Sequence, residues 1–164
     1  MKKLIIAEKP SVAADLAKAL GGSAAGLNKK GEYYEGDDLV ISSAIGHLVE
    51  LFMPDDIQPK LKYWKMDTLP IVPDTFQLKV IPKTKRKFNE LKTLMKRRDV
   101  TDIYNACDAG REGELIFTYI YELAKCAKPV HRMWMLSMTP AAIRTSFENP
   151  RTGDDMLRLQ NAAR

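Results

Sequence analysis

The chain has 164 residues, 45% hydrophobic and 29% charged, which is enough for one buried core and excludes wholesale disorder. No apolar run approaches the roughly 18 residues of a membrane helix. Its +5 net charge is uneven: residues 60–98 carry twelve Lys/Arg against three Asp/Glu, a net +9 that leaves the remainder at −4. That split predicts contact with a polyanion on one side and a use for carboxylates on the other, although the same basic run also reads as a solvated helix face.

Residues 3–7 form a short apolar run that predicts a buried strand. The run stops at Glu8-Lys9, too short for a secretory h-region, so a cytoplasmic chain is expected. Val12, Leu16, Ala19 and Leu20 then recur at helical spacing, with Gly21-Gly22 as a stop. Residues 32–35 and 39–43 flank Gly36-Asp37-Asp38 and read as a hairpin. Residues 54–73 hold four prolines and predict a long loop, which with the hairpin forms an expected insertion over about 32–73. Residues 76–81 alternate as a strand with Phe76, Leu78 and Val80 on one side. Residues 84–98 are an amphipathic helix striped by Phe88, Leu91, Leu94 and Met95. A strand over 102–107, a tight turn over 110–113, a helix over 115–126 and a strand over 130–135 follow. Thr139-Pro140 opens a helix that Asn149-Pro150 closes, and 154–163 starts another. Alternating strands and helices predict an α/β fold with a mainly parallel sheet flanked by helices.

In such sheets ligands bind beyond the carboxyl ends of the strands. Two predicted strands run there into acids, Glu8 and Asp108, which share a crevice if the strands are neighbours. The turn Gly110-Arg111-Glu112-Gly113-Glu114 adds two more carboxylates, although each of these also suits a helix N-terminus for its charge alone. Carboxylates without a cysteine or histidine cluster point to a hard, oxygen-bound cation, Mg²⁺. Cys107 and Cys126 are too few for a disulfide framework, and with His47 and His131 they fit no zinc spacing. Gly21 and Gly26 have phosphate-loop spacing, but Leu27 stands where the lysine is required. Neither histidine adjoins a nucleophile elbow. By default His47 is a structural residue at a strand end and Trp64 and Trp134 are packing residues, while Lys9, beside Glu8, reads either as a solvated lysine or as a group that stabilises charge on a phosphate.

Ile6-Ala7-Glu8-Lys9-Pro10-Ser11 resembles the opening motif of type IA DNA topoisomerases of the topoisomerase III branch. Ile45-Gly46-His47-Leu48 is similar to their glycine-histidine segment. Leu69-Pro70-Ile71-Val72-Pro73 with Phe76 resembles the stretch after a tryptophan, here Trp64. The run from Asp108 to Glu114 resembles the acidic signature of the toprim domain, and Ser137-Met138-Thr139 with Ala142-Ile143 the segment that closes it. The matches run in order over essentially the whole chain.

The resemblance implies a Rossmann-like toprim domain over 1–150, with 151–164 starting a following helical domain. It implies an enzyme in which a tyrosine cuts one DNA strand, another strand passes and the break is resealed with Mg²⁺. By position it makes Glu8 and Lys9 the catalytic residues, and Glu8, Asp108 and Glu112 the metal ligands. DNA contacts fall to His47, Lys62, Tyr63, Arg111 and Arg164, with single-stranded DNA the main partner and the nucleoid the setting. Gly110 stands where many members have a second aspartate, which puts a strict two-metal site in doubt. The nucleophilic tyrosine belongs to a later domain and matches none of Tyr33, Tyr34, Tyr63, Tyr104, Tyr119 or Tyr121. The expectation is therefore an amino-terminal part that does not cleave or relax DNA alone and needs the domains carrying the tyrosine. Two alternatives stay open: a stand-alone toprim nuclease or primase-like protein, and a non-catalytic DNA-binding module.

Overall fold

The structure, a computed structural model, describes residues 1–21 and 26–163. The expected stop at Gly22 lies outside them. Strand β1 (Lys2–Ala7) leads through Glu8-Lys9 into helix α1 (Pro10–Gly21). Three strands follow, β2 (Asn28–Lys30), β3 (Tyr33–Glu35) and β4 (Leu39–Ser43), then β5 (Val49–Leu51) and the short helix α2 (Pro54–Ile57). Next come β6 (Leu78–Val80), α3 (Lys85–Lys96), β7 (Val100–Ala106) and α4 (Arg111–Ala124). The chain continues through β8 (Val130–Arg132), α5 (Pro140–Glu148), β9 (Arg151–Thr152) and α6 (Leu157–Ala163).

Seven strands form one sheet in the order β2-β3-β4-β1-β7-β8-β9. The central pairs β4/β1, β1/β7 and β7/β8 are parallel, and the edges are antiparallel. The continuous apolar run Leu4-Ile5-Ile6-Ala7 has its explanation here. Successive side chains point to opposite faces, and both faces are covered. Leu4 and Ile6 join Phe88, Leu91, Met95 and Ile120 beneath α3 and α4, while Ile5 and Ala7 join Leu16, Tyr104 and Ile143 beneath α1 and α5. Each fully buried Leu or Ile stabilises the fold by about 1.5–3 kcal/mol relative to an exposed one.

Thr139 caps α5 through its side chain, which accepts from the Ala142 N–H at 3.3 Å, with Pro140 at the first helical position, as the sequence predicts. Four expectations need correction. The hairpin is no insertion, because β4 pairs with β1 at the centre of the sheet. What stands apart is a second, two-stranded sheet of β5 and β6, with residues 52–77 between them. The strand expected over 76–81 spans only Leu78–Val80, and Phe76 precedes it as an exposed residue. The turn over 110–113 is shorter than expected, since Arg111–Gly113 already belong to α4. The strand after Pro129 ends at Arg132, well short of 135.

β9 pairs with β8, and α6 packs on α4.

Candidate active site

Parallel register places three strand ends side by side. Ala7 is opposite Ser43 of β4 and Ala106 of β7, so the residues that follow each strand meet at one edge. Glu8 is only 6% exposed, and its Oε2 accepts the Asp108 backbone N–H at 3.3 Å. The Lys9 ammonium lies 3.4 Å from Glu8 Oε1 and 3.4 Å from Asp108 Oδ2. Asp108 first, and Glu8 second, hold that ammonium protonated above its ordinary range.

The loop after β4 is drawn to the same place by two backbone bonds, Ala44 N–H to the Ala7 carbonyl at 2.8 Å and Gly46 N–H to the Glu8 carbonyl at 3.2 Å. Gly46 turns there at φ +80°, a conformation other residues rarely adopt. His47 follows, and its Nε2 lies 3.4 Å from Glu112 Oε1. Glu112 sits in the first turn of α4, where the helix dipole favours negative charge.

Together Glu8, His47, Asp108, Arg111, Glu112 and Ala162 line an open crevice of about 530 Å³. Gly113 lets α4 close on it: a Cβ there would stand 2.1 Å from the Asp108 carbonyl oxygen. Gly110 is different, because its backbone is extended and a Cβ would meet nothing within 4 Å. The fold therefore does not impose glycine at 110.

Lys62 and Tyr63 are not part of this crevice. They lie between β5 and β6, exposed, with the Lys62 ammonium 6.0 Å from the Tyr63 ring centre. Arg164 lies outside the described residues. Glu114, the second of the two carboxylates at the start of α4, turns inward and is 1% exposed against Arg132, also 1% exposed. Sequence reading missed Arg132 as a polar anchor. The available signal was an arginine inside the strand Val130-His131-Arg132 just before apolar Met133.

Among the described residues no three His, Cys, Asp or Glu side chains stand close enough together to enclose a metal. The donors present suit Mg²⁺ nonetheless, since it is commonly held by one or two carboxylates and completes its shell with water and substrate phosphate. Burial beneath the site pushes the Cys107 thiol far up, so it is no thiolate ligand or nucleophile.

A parallel-centred α/β sheet with acids at adjacent strand ends and a third acid at a helix start defines a carboxylate site of the Rossmann-like class. The chain belongs to the Toprim domain family, whose description matches residues 3–138. Among curated relatives, the Bacillus licheniformis protein named DNA topoisomerase 3 is 42% identical over 163 residues, 99% of this chain and 22% of the relative. DNA topoisomerase 3 of Bacillus subtilis is 41% identical over the same share of each chain. The chain thus spans about a fifth of the length of these relatives. A solved structure described as full-length topoisomerase I from Thermotoga maritima shares the fold, with TM-score 0.62 and 23% identity over 97% of this chain and 22% of that one. No helix among the described residues is long and apolar enough to cross a membrane.

Proposed function

We propose that this chain is the toprim part, over about 1–150, of a type IA DNA topoisomerase of the topoisomerase III kind, acting in the cytoplasm on nucleoid DNA. The observation that carries the reading is the Glu8–Asp108 carboxylate pair bridged by Lys9, in a chain this close to proteins named DNA topoisomerase 3. Of the Glu8, Asp108 and Glu112 carboxylates, one or two would hold Mg²⁺ directly, with water and phosphate completing its shell, and the bound ion would supply positive charge to the reacting phosphate. Lys9, kept charged by its two neighbours, offers an ammonium to the same phosphate as charge develops on it. Arg111 and His47 flank the path of the strand across the crevice. Arg164 would extend that path into the following domain.

No tyrosine is among the residues lining the crevice. Tyr104 and Tyr119 are buried, and the Tyr121 hydroxyl donates to the Lys128 carbonyl at 2.7 Å. In this reading the nucleophile comes from further topoisomerase domains. Lys62 and Tyr63, with Lys60, Lys65 and exposed Trp64 around them, offer alternating ammonium and aromatic groups to single-stranded DNA away from the chemistry.

The test is substitution of this chain for the matching region of Bacillus subtilis DNA topoisomerase 3. The hybrid is expected to relax supercoiled plasmid with Mg²⁺, and its Glu8→Gln form to lose that activity. The 164-residue chain alone is expected neither to cleave nor to relax DNA. Metal-dependent nicking by the chain alone would support the stand-alone nuclease instead. DNA binding that is indifferent to Mg²⁺ and to Glu8→Ala, with an inactive hybrid, would support a non-catalytic module.

A further inference from the structure

The backbone that carries Asp108 is gripped from behind by one side chain. Arg132, at the end of β8, sends Nη1 to the carbonyls of Cys107 at 2.7 Å, Met133 at 2.8 Å and Asn105 at 3.2 Å. Its Nη2 donates to the Asp108 carbonyl at 2.8 Å, and its Nε donates to the Glu114 carboxylate. Glu114 also accepts from Asn105 Nδ2 at 3.3 Å and, through its other oxygen, from Gln160 Nε2 of α6 at 3.4 Å.

A buried ion pair is a poor way to gain stability, since well-packed apolar residues commonly do as well or better. Geometry is what this one supplies. Past Ala106 the chain leaves the sheet, and the Cys107 and Asp108 carbonyls need donors from elsewhere. A guanidinium offers five in a fixed plane, which an ammonium cannot reproduce. Asp108 is then fixed on three sides: its carbonyl by Arg132, its N–H by Glu8, and its backbone by the close approach of Gly113.

We propose that Arg132, held in place by Glu114, is a positioning residue that sets Asp108 against Glu8 and Lys9, and that Gln160 ties α6 to this arrangement. The inference rests on the reading above for the working role of Asp108, and on the geometry alone for how Asp108 is held. Coupling passes from a helix of the chain's last residues to a carboxylate at the strand ends through three contiguous polar side chains.

The test uses ¹⁵N-labelled full chain and reads the backbone directly. In Arg132→Met/Glu114→Met the pair is removed without leaving a buried charge, so the fold is expected to survive. The Glu8 and Asp108 amide resonances should shift, and exchange of the Asp108 N–H should speed by about tenfold, the order expected for losing one such restraint. Arg132→Lys keeps the charge and loses the fork, and is expected to resemble the double variant. Wild-type resonances at Glu8 and Asp108 in either folded variant, with only the melting temperature changed, would overturn the proposal. Gln160→Leu alters only a half-buried position on α6, and should move the Arg132 Nε–H and Asp108 signals together. Were the other variants unfolded, unchanged signals in this one would overturn it too. Titration of Mg²⁺ into the wild-type chain is read separately: no response at Glu8 or Asp108 counts against the metal reading and leaves the anchoring test intact.

Discussion

The Asp108 backbone N–H donates to the Glu8 carboxylate at 3.3 Å, although the two residues are 100 positions apart in sequence. The contact follows from β1 and β7 lying side by side with Ala7 opposite Ala106. Glu8 thus has one oxygen engaged by the fold and the other facing Lys9. Substitutions at Glu8 can separate these two roles. Glu8→Gln keeps an acceptor for the Asp108 N–H, so unfolding free energy in urea should change by about 1 kcal/mol or less. Glu8→Ala leaves that N–H without its partner and should cost about 1–3 kcal/mol. In the hybrid topoisomerase both should abolish relaxation. Equal stability of the two variants would show that the Asp108 contact contributes nothing to folding.

Gly113→Ala tests the approach of α4 to the site. The added methyl would meet the Asp108 carbonyl oxygen at 2.1 Å and its nitrogen at 2.9 Å, and neither backbone atom can swing aside as a side chain would. Destabilisation of at least about 1–3 kcal/mol is expected, the range for overpacking, and circular dichroism in urea measures it. Gly110→Ala, with open space around it, should be nearly neutral by the same assay.

The central architecture was legible because the residues that build it are local signals. The run Leu4–Ala7 reads as a strand covered on both faces, and the stripe Phe88, Leu91, Leu94, Met95 as one helix face, and both readings hold in the packed core. Glu8 and Asp108 could be placed at one edge in advance because parallel strands end on one side, whereas that their strands are neighbours came from the register of β1 and β7. Less was legible where pairing is non-local. Nothing in Leu39–Ser43 says that it lies beside β1, so the hairpin read as an insertion. Nor does the local pattern distinguish Glu112 from Glu114, which only the family resemblance separated. Two positions along a helix turn a side chain through about 200°, and that alone sends one to the crevice beside His47 and the other to Arg132.

Lys9 is exposed, so Lys9→Met should leave the melting temperature unchanged. Its consequence lies in phosphate contact. Binding of a fluorescent single-stranded oligonucleotide should weaken, and the slope of log affinity against log salt should fall by about 1, as for the loss of one phosphate contact. Lys62→Ala should produce a similar loss of slope, whereas Tyr63→Phe should leave it intact, because stacking needs the ring and not the hydroxyl. An unchanged slope in Lys9→Met would remove Lys9 from the DNA path.

Glu35 provides a pH test far from the crevice. It is buried at the end of β3, where Arg97, Lys2 at 2.8 Å and Lys30 at 2.8 Å all donate to its carboxylate. Arg97 foremost, then Lys2 and Lys30, hold it far below its ordinary value of 4.5. In the folded protein it therefore stays ionised at pH values where the unfolded chain has already taken up a proton. The unfolded state binds more protons in that window, so stability falls as pH drops. Glu35's contribution is full above the ordinary carboxylate range and declines progressively below about pH 4.5. Glu35→Gln should be less stable than wild type at neutral pH and should lose less on acidification, so the two stability curves converge at low pH. Parallel curves from urea unfolding across that range would show that the three cations do not act through the Glu35 charge.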